Sequence, residues 1–109
     1  MSDDANEITV QELKQRFDAG DAPLVVDVRE HAERETAWID GTIHIPMGEV
    51  VGRLNELDRE REIVVHCRSG ARSMRVVRFL QQNGYRHVRN LRGGLLAWSE
   101  EVDPSVPTS

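Results

Sequence analysis

The chain has 109 residues, of which 39% are hydrophobic and 30% charged, and it carries a formal net charge of −5 at pH 7. This length and composition predict one soluble globular domain with a single core, and no stretch approaches the roughly 20 apolar residues that cross a membrane. The net negative charge argues against a nucleic-acid partner, because phosphate affinity requires clustered Lys and Arg over a wide surface.

The first third of the chain predicts a helix, a buried strand and a second helix. Thr9 and Glu12 form a capping-box pattern, which predicts a helix that runs to about Phe17. The valine-rich run at 23–28 is short for a helix and predicts a strand buried on both faces. The charged segment at 29–38 predicts a short helix.

The rest of the chain continues the alternation of strands and helices. The further predicted elements are a strand at 41–46, a helix from Pro46 to Leu57, a strand at 63–66, a helix that ends at Gly84, a strand at 87–91 and a helix at 93–101. This alternation indicates an α/β fold with a mostly parallel sheet that has helices on both faces. In such sheets, sites form at the carboxyl ends of the strands.

The two ends of the chain are polar. We expect residues 1–6 and 103–109 to be flexible segments around one folded domain at 7–102. The acidic start lacks the basic and apolar regions of a secretory signal, and a single cysteine excludes an internal disulfide. We therefore expect a cytoplasmic location.

The only cysteine, Cys67, follows a predicted strand directly and precedes a predicted helix. Residues 63–99 contain seven arginines and no acidic residue. A loop of this kind directs several backbone N–H groups at one centre and binds anions. Together with Arg68 and Arg72, these groups should lower the pKa of the thiol and make it a nucleophile. The alternative is a buried cysteine that only packs, and the neighbouring arginines argue against it.

The histidines do not complete a metal site or a catalytic pair. His66 precedes Cys67, but neighbouring residues on a strand point to opposite faces, so His66 should face away from the thiol. The other three, which are His31, His44 and His87, lack the spacing of metal ligands. The sequence therefore predicts no metal.

Four segments resemble the rhodanese domain of the sulfurtransferases, in the order found in its single-domain form. They are VVDVRE (25–30), DGTIHIP (40–46), VVHCRSGARS (64–73) and GYRHVRNLRGGLLAW (84–98). The resemblance implies a five-stranded parallel sheet, with its first strand at about 7–9. It also implies a reaction without a cofactor. The Cys67 thiolate takes a sulfane sulfur from a small anionic donor such as thiosulfate, and the persulfide passes it to cyanide, a thiol or a protein.

The resemblance also assigns roles to residues around the thiol. Cys67 would be the catalytic residue, and the persulfide-binding loop would be Arg68, Ser69, Gly70, Ala71 and Arg72. Within this loop, the two arginines are the candidates for contacts with the donor anion. The supporting residues would be Asp27, Arg29 and Ser73. For the first two of these, the alternative is an ordinary surface ion pair.

Loop length and two departures bear on specificity. Phosphatases and arsenate reductases that resemble rhodanese have C-x5-R, whereas Cys67 and Arg72 form the shorter C-x4-R of the sulfur-transferring members. Two other functions stay open, a persulfide carrier between proteins and a non-catalytic binding or regulatory module. Family members often have Gly-His-Ile where this chain has Ala37-Trp38-Ile39, and Asn in place of His44, so pocket shape and acceptor preference are not fixed.

Overall fold

A parallel sheet is the centre of the fold in the computed structural model, which describes residues 4–108. Its strands in chain order are β1 (Glu7–Ile8), β2 (Leu24–Asp27), β3 (Thr42–His44), β4 (Ile63–His66) and β5 (Val88–Leu91). Within the described range they form one five-stranded sheet in the order β1-β5-β4-β2-β3, and every pairing is parallel. The five-stranded parallel sheet expected from the sequence is thus confirmed.

Helices cover both faces of this sheet. They are α1 (Val10–Asp18), α2 (His31–Thr36), α3 (Ala71–Gln82) and α4 (Gly94–Glu101). The predicted capping box is present, since the Thr9 hydroxyl accepts a hydrogen bond from the Glu12 N–H and the Glu12 carboxylate accepts one from the Thr9 N–H. Of the described helices, α3 with its twelve residues is the longest, and none is long and apolar enough to cross a membrane.

The core has two parts, one on each face of the sheet. On one face, α3 contributes Val77 and Leu80, which pack with Val65 of β4. On the other face, α1 and α4 pack on Val25 and Val64. Because neighbouring residues of β2 and β4 face opposite cores, both strands lie in the interior, as the valine-rich runs predict.

The segment that follows β3 differs from the prediction. In place of one helix from Pro46 to Leu57, it forms two 3₁₀ helices, Met47–Glu49 and Val51–Glu56, with non-helical backbone at Arg53 (φ −118°, ψ 17°). The segment contains two glycines, which have low helix propensity. Val50 and Leu57 nevertheless pack in the core. The regularly spaced apolar residues of this segment are therefore buried although the segment is not a regular helix.

The carboxyl-terminal segment packs against the domain. Val106 is only 9% exposed, and its carbonyl accepts a hydrogen bond of 2.6 Å from the Ser99 hydroxyl. Val106 belongs to the same core cluster as Leu95 and Trp98 of α4. Residue 109 and residues 1–3, which belong to the segments expected to be flexible, lie outside the described residues.

Candidate active site

The Cys67 thiol lies directly after β4, in the loop that leads into α3. Its Sγ accepts hydrogen bonds from the Gly70 N–H (3.1 Å), the Ser73 N–H (3.4 Å) and the Ser73 hydroxyl (3.2 Å). Cys67 is 1% exposed. A sulfur atom that accepts from several N–H and O–H groups is placed to carry negative charge.

The surroundings of Cys67 change the pKa of its thiol in two directions. Burial raises the pKa, because it disfavours the charged form. The Ser73 hydroxyl and the backbone N–H groups of Ser73, Gly70 and Ser69 lower it, and together they outweigh burial. The pKa of Cys67 therefore lies below its ordinary value, and the thiolate is favoured. The thiolate also interacts with the charge of the Arg72 guanidinium.

The loop curls around the sulfur because of one glycine. Gly70 has φ +110°, a left-handed conformation that other residues rarely adopt, and it directs its N–H toward Sγ. Its carbonyl accepts a hydrogen bond of 3.1 Å from the Asn90 side chain on β5. The neighbouring loop residues Ser69 and Ala71 are exposed.

The start of α4 holds the other side of the loop. The Leu95 N–H donates to the Cys67 carbonyl (2.9 Å), and the Leu96 N–H donates to the Arg68 carbonyl (3.1 Å). The backbone of α4 approaches so closely that a Cβ on Gly94 would lie 2.4 Å from the Cys67 carbonyl oxygen. The carbonyls of Cys67 and Arg68 are therefore bonded to α4, while the N–H groups of Gly70 and Ser73 donate to the sulfur.

Asn90 is a supporting residue that the sequence analysis missed. It is 2% exposed, and its Oδ1 lies 2.5 Å from the Ser73 hydroxyl oxygen. Its Nδ2 donates to the Gly70 carbonyl, so one side chain is bonded to both residues whose groups contact Sγ. The available signal was an asparagine inside the predicted strand at 87–91, since a buried polar side chain requires partners.

Asp27 and Arg29 form a buried ion pair below the loop. The Asp27 carboxylate accepts from the Arg29 N–H (2.9 Å), Nε (3.0 Å) and Nη2 (2.9 Å), and from Arg34 Nη1 (3.3 Å). Asp27 is fully buried and Arg29 is 2% exposed, so the alternative of a surface pair is wrong. Burial by itself raises the pKa of Asp27. The hydrogen bonds and charge of Arg29, with those of nearby groups, lower the pKa by a larger amount, so the carboxylate stays charged.

Strand pairing joins Asp27 to the strand that leads into the loop. Asp27 and His66 are register partners in β2 and β4, and the Val28 N–H donates to the His66 carbonyl (2.9 Å). Cys67 packs with Val65 in the core on the α3 face of the sheet, so alternation along β4 places the His66 imidazole on the other face, as expected. Its Nδ1 lies 3.2 Å from the Cys67 carbonyl oxygen. Burial lowers the pKa of His66.

Both arginines of the loop are engaged within the chain. The Arg72 guanidinium donates to both oxygens of Glu33 on α2, at 2.7 and 2.9 Å. The Arg68 guanidinium donates to the Thr108 carbonyl at 3.2 Å. Glu33 was not singled out in the sequence, because a carboxylate on a short charged helix has the pattern of an ordinary solvent-exposed residue.

Two of the residues that depart from the family pattern contact Arg29. Ala37 is buried, and its carbonyl accepts from the Arg29 guanidinium (2.5 Å), while His44 Nε2 lies 2.7 Å from the Arg29 carbonyl oxygen. Trp38 is 48% exposed and lines a cleft of about 620 Å³. Other side chains of this cleft include Phe17, Trp98 and Val106.

Comparison with known proteins gives a consistent result. The sequence-family model of the rhodanese-like domain matches residues 9–101 of this chain. A sulfurtransferase from Allochromatium vinosum is 40% identical over 101 residues, which cover 93% of this chain and 94% of that protein. The putative sulfur carrier protein YrkF of Bacillus subtilis is 38% identical over 97 residues, which cover 89% of this chain and 52% of that protein.

A solved structure of similar sequence has the same fold. It is a rhodanese-like domain protein from Staphylococcus aureus with a TM-score of 0.83 and 30% sequence identity. The match covers 95% of this chain and 98% of that chain.

Proposed function

The chain belongs to the rhodanese family of sulfurtransferases, and we propose that it transfers a sulfane sulfur through a persulfide on Cys67. The observation that supports this proposal is the set of donors around Sγ, which are the Gly70 N–H, the Ser73 N–H and the Ser73 hydroxyl. Donors fixed in this way stabilise a thiolate before the reaction and a terminal persulfide anion after it.

The proposed reaction has two displacement steps. In the first, an electron pair of the Cys67 thiolate forms a bond to the outer sulfur of thiosulfate, the S–S bond of thiosulfate breaks, and sulfite leaves with the electron pair of the broken bond. In the second, an acceptor thiolate or cyanide attacks the outer sulfur of the persulfide, and the Cys67 thiolate is regenerated. Each step moves one sulfur atom, so no external oxidant or reductant is required.

We assign the donor contacts to the two arginines beside the thiol. Arg72 is in the first turn of α3 and its charge interacts with the thiolate, while Arg68 follows Cys67 directly. A guanidinium binds the oxygens of a sulfur anion in the way it binds a carboxylate. The assignment therefore implies a small anionic donor, and a thiol or a protein as acceptor. A thiol that must stay reactive also fits a reducing compartment such as the cytoplasm.

A sulfur carrier between partner proteins is the second candidate. It shares the persulfide and differs only in taking sulfur from a protein and returning it to one. The observation in its favour is the burial of Cys67, which is 1% exposed, because a partner protein can move the side chains around the sulfur when it docks. A relative of this chain is named a putative sulfur carrier protein.

Intact-mass measurement tests the proposal directly. After incubation with thiosulfate, we expect the protein to gain one sulfur atom, about 32 Da. Cyanide should remove this mass and release thiocyanate, and Cys67→Ser should not gain it. Absence of the adduct with thiosulfate and with a low-molecular-weight persulfide would contradict the proposal and favour a non-catalytic module.

A further inference from the structure

We infer that Glu33 controls which sulfur donors the site accepts, because its carboxylate occupies the Arg72 guanidinium in the resting protein and an anionic donor must compete with it. This inference rests on the proposed function and concerns the selectivity of the same site. Glu33 is a specificity-determining residue in this proposal, since it acts through Arg72 and not on the reacting sulfur atoms.

The geometry of the pair is that of a guanidinium with a bound anion. Arg72 Nη1 and Nη2 each donate to a different oxygen of Glu33, at 2.7 and 2.9 Å. This two-bond arrangement is the one by which arginine binds carboxylates and phosphates. The Glu33 oxygens therefore occupy the edge of Arg72 that a sulfonate-like group of a donor would need.

The Glu33 carboxylate is held in place on its own helix. Its Oε1 also accepts a hydrogen bond of 2.8 Å from the Glu30 N–H at the start of α2. The side chains of Glu33 and Arg72 are 29% and 30% exposed, so the pair is partly shielded from water. The Arg72 guanidinium lowers the pKa of Glu33 to about 2, and the carboxylate is charged throughout the neutral range.

The pair lies where a donor must approach. Arg72 is between Gly70 and Ser73 along the chain, the residues whose groups contact Sγ. Glu33 is on α2, which follows β2, and β2 is the neighbour of β4 in the sheet. The pair thus joins α2 to the first turn of α3 at the carboxyl end of the strands, where the thiol lies. A donor bonded to Arg72 comes within a few ångströms of the Glu33 charge.

The effect of this charge depends on the charge of the donor. A dianion such as thiosulfate both competes with Glu33 for Arg72 and is repelled by it, whereas a monoanion of the same shape is repelled less. Methanethiosulfonate is such a monoanion, since a methyl group stands in place of one oxygen of thiosulfate. Its sulfane sulfur is attacked in the same way, and methanesulfinate leaves with the electron pair of the broken S–S bond.

Comparison of these two donors tests the inference. We expect Glu33→Gln to raise kcat/KM for thiosulfate relative to methanethiosulfonate by about fivefold or more, mainly through KM, because a like charge is removed from the donor site. Glutamine keeps an oxygen that accepts from the Glu30 N–H, so α2 should be preserved. Glu33→Asp, which keeps the charge, should leave the ratio near that of the unsubstituted protein.

Glu35→Gln is the matched control, because Glu35 is exposed on the same helix and the substitution removes the same charge. It should not change the ratio of the two donors. An equal effect of Glu33→Gln on both donors, or no effect on either, would overturn the inference while persulfide formation still supports the proposed function. If neither donor forms a persulfide on the unsubstituted protein, the proposed function itself fails.

Discussion

The Ser73 hydroxyl has one proton and two acceptors within reach. Its oxygen lies 3.2 Å from Sγ of Cys67 and 2.5 Å from Oδ1 of Asn90. A hydroxyl proton can rotate between two such positions. When Cys67 is a thiolate, its charge favours rotation of the proton toward Sγ, because a hydrogen bond to an ionised acceptor is the stronger one. We therefore consider Ser73 the main side chain that stabilises the thiolate.

Replacement of this hydroxyl should make Cys67 a weaker nucleophile. We expect Ser73→Ala to raise the pKa of the thiol and to slow its alkylation by iodoacetamide at neutral pH by about tenfold, the value of one hydrogen bond to a charged group. The pH profile of alkylation measures this effect. Ser99→Ala is the control, since the Ser99 hydroxyl is also buried but donates to the Val106 carbonyl. An unchanged profile for Ser73→Ala would show that the backbone N–H groups suffice.

The sequence indicates the nucleophile and its loop but not the residues that reach the loop from elsewhere. Cys67, Gly70 and Ser73 are close in the chain, and a strand, a glycine and a helix start place them together by local geometry alone. Glu33 and Asn90 reach the loop from α2 and β5, across separations of 39 and 17 to 20 residues. No local pattern encodes such contacts, because they depend on how the elements pack.

At the scale of elements, the loop depends on α4 as much as on α3. The first N–H groups of α4 bond to the carbonyls of Cys67 and Arg68, and this contact requires the close approach of Gly94. The sequence indicates a turn and a helix at this glycine, and both are present. It does not indicate that N–H groups at the start of α4 donate to carbonyls of the active-site loop, because these carbonyls belong to another βα unit.

A side chain at Gly94 should disturb this contact. The Cβ of Gly94→Ala would lie 2.4 Å from the Cys67 carbonyl oxygen, and φ at this position is +54°. We expect the substitution to lower the free energy of unfolding by about 2 kcal/mol or more and to slow persulfide formation. Urea unfolding and intact-mass kinetics measure the two effects. Gly48→Ala, where no atom lies within 4 Å of the new Cβ, should be nearly neutral.

At the scale of the whole molecule, an acidic part of the sequence, residues 1–62 with sixteen Asp and Glu against seven Lys and Arg, meets the basic part, residues 63–99, at the site. The acidic part supplies Asp27 and Glu33, and the basic part supplies Arg72. Glu33 pairs with Arg72 across the two parts, whereas Asp27 pairs with Arg29 and Arg34 of its own part. The Glu33–Arg72 pair therefore neutralises some of the positive charge of 63–99 beside the thiol. Sequence alone predicts a free positive loop here, because charge counts along the chain do not include pairing between distant segments.

Buried and paired carboxylates should make the fold sensitive to acid. The folded-state pKa of Asp27 is lowered, and that of Glu33 is about 2. Both carboxylates therefore stabilise the folded protein fully at pH values above their unfolded-state pKa of about 4. This stability should be lost as the pH falls from about 5 through the folded-state pKa values. Urea unfolding at pH 7, 5 and 3 measures the loss, with the pH values chosen to span this range.

Variants at two aspartates separate the contribution of the buried pair. Asp27→Asn should lower stability at pH 7 by about 3–5 kcal/mol, because it leaves Arg29 buried without its partner. It should also flatten the acid dependence. Asp40→Asn, at an exposed position, should follow the unsubstituted protein at every pH. An unchanged slope in Asp27→Asn would contradict the role given to this carboxylate.

The bond between Arg68 and the Thr108 carbonyl has a practical consequence for work with this protein. Any polypeptide attached beyond Thr108, such as an affinity tag, starts next to the side chain that follows the nucleophile. At the other end of the chain, the Asn6 side chain accepts a hydrogen bond of 2.9 Å from Gln81 in the last turn of α3, whereas the thiol lies beside the first turn of that helix. Purification handles, fluorophores and surface attachment for turnover assays therefore belong at the amino-terminal end.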